Sequence, residues 1–153
     1  MTAHASGPHL EPTQESGLRF IQRDIGGPVL MLNLLRFRAT ADYTDHPDLA
    51  PAAPISGADA FDSYIRYTLP FLRESGGDVV FLGAGGPFLI GPDDERWDLA
   101  MLVRQSSVAS FLSFATNEAY RAGLGHRAAA IEDSRLLPLT ELPLPAQSRR
   151  SEP

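Results

Sequence analysis

The chain has no cysteine. That absence excludes disulfides, thiolate metal sites and thiol nucleophiles together. Basic residues are in deficit as well: 13 Lys+Arg stand against 19 Asp+Glu, for a formal net charge of -6. Phosphate backbones and anionic lipid therefore meet no general attraction, and neither nucleic-acid nor membrane partners are expected. Long apolar runs are missing too. The longest uncharged stretch, Val79 to Pro92, is broken by glycines and Pro87, well short of the roughly 18 apolar residues that a membrane span needs. Met1 to Gly17 shows no basic start followed by an apolar run, so no targeting segment is read there and the expected location is the cytoplasm.

Several signatures of chemistry are also absent. The histidines His4, His9, His46 and His126 have no metal-ligand spacing, and Asp93-Asp94-Glu95 lacks the alternating oxygen ligands of a calcium loop. Gly83-Ala84-Gly85-Gly86 follows a strand-like run, but no helix pattern and no lysine follow it, which argues against a phosphate loop. No serine sits in a nucleophile elbow. Neither a metal nor a cofactor is expected.

What is present is a chain of 153 residues, 43% hydrophobic, enough to close one core. Residues 1–17 and 143–153 read as flexible tails around a single domain at 18–142, within which 39–55 is a long proline- and aspartate-rich loop. Val29 to Phe37 (VLMLNLLRF) predicts a first strand. Phe61, Tyr64, Ile65, Thr68 and Leu72 then share one helical face, opened by Ser56 with Asp59 and stopped by Gly76-Gly77, with Pro70 expected to bend the helix. Asp78 to Ile90, with a bulge or bend expected at Gly83 to Pro87, and Trp97 to Gln105 predict a hairpin. A second helical region capped by Ser106 and Ser107 and renewed at Asn117 runs to Ile131. Arg135 to Leu142 predicts the last strand, placed at a sheet edge by Pro138.

The order β-α-β-β-α-β predicts an α+β, ferredoxin-like fold: an antiparallel sheet with helices on one face. The first strand is apolar on both sides, with Val29, Met31, Leu35 and Phe37 on one and Leu30, Leu32 and Leu34 on the other. Covering the second face requires another layer, and a second subunit in a two-fold homodimer is its simplest source. The alternative is that the 39–55 loop and the split helix cover it within one chain.

The runs Met31-Leu-Asn-Leu-Leu-Arg-Phe-Arg38, Tyr64-Ile-Arg-Tyr67, Trp97-Asp98 and Tyr120 followed by His126-Arg127-Ala-Ala-Ala-Ile-Glu-Asp-Ser-Arg-Leu-Leu-Pro138 resemble the domain of unknown function 1330 family. The resemblance implies membership of the dimeric α+β barrel superfamily. That superfamily holds cofactor-free monooxygenases, haem-degrading enzymes, lactone isomerases and small ligand-sensing domains, so fold alone selects no function.

Seven residues are candidates for a site. Asn33, an amide inside an apolar strand, either points into a pocket or ties a neighbouring loop. Arg36 either anchors a carboxylate or pairs with an acid such as Asp98. Arg127 either clamps an anionic ligand or joins a structural ion pair, and His126 beside it is the candidate catalytic acid or base. Tyr64, Tyr67 and Trp97 either line a pocket for an apolar or aromatic acid or belong to the core. Two functions follow. One is a homodimeric binder of a small ligand; the other is a cofactor-free monooxygenase- or isomerase-like enzyme acting on a small aromatic or lactone-like compound, with Asn33 and Arg127 holding substrate and His126 moving a proton.

Overall fold

The computed structural model describes residues 7–146, so the outermost parts of both expected tails, 1–6 and 147–153, lie outside the described residues. Nine elements of regular structure follow in order: α1 (Gln14–Gln22), β1 (Val29–Phe37), α2 (Gly57–Glu74), β2 (Asp78–Pro87), β3 (Arg96–Gln105), α3 (Val108–Ala115), α4 (Glu118–Arg121), α5 (Leu124–Ala130) and β4 (Ile131–Leu139), with a short 3-10 turn at Pro47–Leu49. The four strands form one antiparallel sheet in the order β2-β3-β1-β4. This is the ferredoxin-like arrangement. The barrel implied by the resemblance to the domain of unknown function 1330 family is not formed: β2 and β4 are free edges, and four strands are far fewer than the roughly eight that close a small barrel.

Local chemistry explains the elements. The Ser56 side chain accepts from Asp59 N at 3.0 Å and starts α2, which runs through Pro70 for 18 residues. At its end Gly76 takes φ +101, and Gly76 N and Gly77 N donate back to Arg73 O and Leu72 O, a Schellman stop that only a residue tolerating positive φ makes easily. Ser107 caps α3 and Asn117 caps α4 in the same way. The face of α2 carrying Ala60, Phe61, Tyr64 and Leu72 is buried, and with Leu35, Met101, Tyr120, Ala130 and Ile131 these side chains build the core between sheet and helices.

Four features differ from the sequence reading. Thr13 and Ser16 form a reciprocal cap for α1, so part of the expected N-terminal tail is helical. The register shift in β2 falls between Val79 and Phe81, whereas Gly83 to Pro87 pair regularly with β3. Gly85 is needed for that close pairing, because a Cβ there would strike the backbone of Trp97. β4 begins at Ile131, four residues early, since α5 passes into the strand directly and Ala129 O and Ala130 O accept from Asp42 N and Arg38 N. Trp97 stays out of the helix-covered core and is buried instead against the guanidinium groups of Arg36 and Arg135, at 5.8 and 4.9 Å from its ring centroid.

Pro138 does lie on an edge strand, where its missing N–H interrupts no inner ladder. Residues opposite one another in an antiparallel ladder share a face. By that register Phe81, Leu102, Leu32 and Leu137 form a row crossing all four strands on the face without helices. Among the described residues no helix is long and apolar enough to cross a membrane.

Gly57 marks where α2 comes nearest the sheet: its N–H donates to Arg38 O, and an added Cβ would lie 2.6 Å from Ala130 O, an atom that cannot step aside. Gly57→Ala should therefore destabilise the fold by about 1–3 kcal/mol, as overpacking against backbone does. A thermal melt in which the variant matched the parent would contradict this packing.

Candidate functional site

The candidate residues separate into those the fold uses internally and one it leaves at a cavity. Asn33 Nδ2 donates to Met31 O at 3.2 Å and to Met101 O at 3.4 Å, so the amide is tied to its own sheet. Arg36 pairs with Glu132 at 3.7 Å and Asp133 at 3.5 Å, and Trp97 Nε1 donates to Glu95 at 3.0 Å. Tyr64 and Tyr120 share a buried hydroxyl pair at 2.7 Å, where burial first, and then the neighbouring hydroxyl, push Tyr120 far above the ordinary tyrosine range. Tyr67 donates to Ala119 O. His126 Nδ1 lies 2.8 Å from the Tyr43 hydroxyl, which places it against the 39–55 loop.

The cavity lies elsewhere, along the edge strand. α1 and α3 wall a groove of about 1080 Å³ whose floor is β4 with Met31 of β1. Phe20, Ile21, Phe111, Leu112, Ala115 and Leu136 give it an apolar lining. Phe20 meets Phe111 edge to face at 5.8 Å, which closes one side. Of the seven candidates, Arg127 alone lines this groove.

Why a hollow persists here follows from how the N-terminal segment is fastened. The His9 backbone is held at both polar groups: its N–H donates to Asp133 Oδ1 at 2.8 Å, and its carbonyl accepts from the Ser134 hydroxyl. Arg127 Nη1 donates to Leu10 O at 2.8 Å, and beyond α1 Arg23 Nη1 donates to Pro138 O at 2.8 Å. Tied at both ends, α1 buries none of its residues and stands off the sheet as a strap. Burial by itself would raise the Asp133 carboxyl, but the His9 and Ser134 amides and the Arg135 guanidinium together hold it below the ordinary carboxylate range. The clamp is thus a charged acceptor with three donors.

Phe20 and Ile21 carry no motif, and only the Thr13 cap with the apolar residues Leu18, Phe20 and Ile21 behind it signals a helix in this stretch. Phe111 and Leu112 read equally well as core. What turns them into groove walls is the placing of α1 beside them, with Phe20 against Phe111, which no local pattern encodes.

No protein-family model and no curated protein matches the chain, and with the sheet open the resemblance to the domain of unknown function 1330 family is not upheld. Solved structures similar to the chain include two of the same protein. Methylated RPA0582 protein is 38% identical over 92% of this chain and 100% of its own, with a TM-score of 0.80. The RPA0582 protein from Rhodopseudomonas palustris, described as a protein of unknown function, is 39% identical over 90% of this chain and 99% of its own, with a TM-score of 0.78.

Burial lowers His126 below its ordinary value of 6.5. The unfolded chain then takes up a proton before the folded one does. The resulting stability is fully present above about pH 6.5 and is lost as pH falls from there to the lowered folded value. Urea midpoints measured from pH 8 to pH 5 should fall in the native protein over that window, and His126→Gln should flatten the decline; an unchanged slope in the variant would refute this assignment.

Proposed function

The chain belongs to the family of the Rhodopseudomonas palustris RPA0582 protein, and from that premise we propose that it binds a small, largely apolar molecule in the groove between α1 and α3. The observation that carries the reading is a strap held off the sheet over an apolar hollow. A volume of about 1080 Å³ lies just above the roughly 300–1,000 Å³ of small-molecule sites, and a mainly apolar lining is the composition such sites have.

The enzyme reading has less support. His126 is engaged by Tyr43, Asn33 is bonded within the sheet, and neither lines the groove beside Arg127.

The reading includes a homodimer formed through the helix-free face. The row Phe81, Leu102, Leu32 and Leu137 supports it, with Phe81 58% and Leu137 53% exposed in the single chain. Asp78 opposite Arg104 and Arg135 opposite Leu34 place charges at the rim of that row. An apolar centre with a polar rim is the anatomy of a self-complementary interface.

Two measurements test these proposals. Ala115→Trp places an indole in the groove from α3 and should abolish the fluorescence enhancement of the neutral probe N-phenyl-1-naphthylamine without lowering the melting temperature. Retained enhancement would move the site elsewhere. Light scattering should give a particle of twice the 16.6 kDa chain mass, and Leu32→Arg should reduce it to one chain; a native protein that stays single at micromolar concentration ends the dimer proposal.

A further inference from the structure

Resting on the groove as the ligand site, we propose that its ligand is a medium-chain monocarboxylate, with the carboxylate held by Arg127 and the chain lying along β4. The charge around the groove is the first observation. In a protein of net charge -6, four arginines (Arg19, Arg23, Arg127 and Arg135) line it against one carboxylate, that of Glu11.

Three of the four are committed or remote. Arg19 pairs with Glu15, Arg135 pairs with Asp133, and Arg23 is exposed at the far end and bonded to Pro138 O. Arg127 differs. It is half-buried, and among the described residues no carboxylate lies within salt-bridge distance of it. Nη1 is spent on Leu10 O, while Nε and Nη2 make no bond to the described protein and remain for a ligand. A guanidinium withdrawn from water without a counter-charge is unfavourable, and its planar fork matches a carboxylate better than any other simple anion except phosphate. A phosphate headgroup is disfavoured by the single free arginine and the absence of lysine from the sequence.

Length sets the rest of the ligand. From Ser134 beside Arg127 to Pro138 at the far end, β4 advances about 13 Å at roughly 3.3 Å per residue. α1, with nine residues, spans about the same distance at 1.5 Å per residue. A straight alkyl acid of about that extent fits with its head at Arg127 and its tail beneath Phe20 and Leu136, out towards Arg23.

Displacement of N-phenyl-1-naphthylamine by decanoic acid, decan-1-ol and methyl decanoate separates the two layers of the proposal. Decanoate should displace the probe at about one-tenth the concentration the alcohol or ester requires. Arg127→Gln should erase that preference while the probe still binds, and Arg127→Lys, which keeps the charge but loses the fork, should fall between. Equal displacement by all three compounds, or a preference for acid that survives Arg127→Gln with the variant folded by circular dichroism, would overturn the carboxylate assignment and leave the groove standing. Failure of the native protein to bind either the probe or any of the three compounds would overturn the groove itself.

Discussion

A strand with leucines on both faces cannot rest at a surface, and β1 is such a strand. Its Val29, Met31 and Leu35 are buried under α2 and the later helices, and its Leu30, Leu32 and Leu34 face the other way between β3 and β4. Burial of one face is worth roughly 1.5–3 kcal/mol for each large apolar side chain removed from water, which is what draws α2 across the sheet. Among the described residues no further layer covers the second face. The helix-free side is left as an apolar row with a charged rim, and the proposed second copy answers the same constraint from outside.

The groove arises from a different physics. Hydrophobic contact already joins α1 to α3 through Phe20 and Phe111, and more of it would draw the rest of α1 down onto β4. Hydrogen bonds hold it away: Asp133, Ser134 and Arg127 fix the backbone of His9 and Leu10, and Arg23 fixes the other end to Pro138. Edge strand β4 can do this because one of its sides has no strand partner, so the groups there are free to take a passing segment. Arg127 belongs to both systems. It steadies the strap with one nitrogen, and the residue also lines the hollow.

Much of the frame was legible residue by residue. A continuous apolar run marked β1 at its observed bounds, and Ser56, Ser107, Asn117 and Gly76-Gly77 marked helix ends because their chemistry is local: a side-chain oxygen for an orphan N–H, or a glycine for positive φ. The candidate site was less so. Asn33, Arg36, Tyr64, Tyr67 and Trp97 were polar or amphipathic groups in apolar company, a pattern that a pocket and a satisfied interior share. Their partners, Met101, Glu132, Tyr120, Ala119 and Arg135, all lie far away in sequence, so only contact could tell the two apart.

The amino-acid order by itself determined the alternation of strands and helices, the edge position of the strand bearing Pro138 and the two-sided greasiness of β1, because each depends on residues within a few positions of one another. Tertiary structure alone decided that the sheet stays open, that the segment before β1 becomes a tethered helix, and that Arg127 rather than His126 reaches a cavity. The first depends on which strands pair and the other two on hydrogen bonds spanning more than a hundred residues, such as His9 to Asp133 and Leu10 to Arg127, none of which a local pattern records.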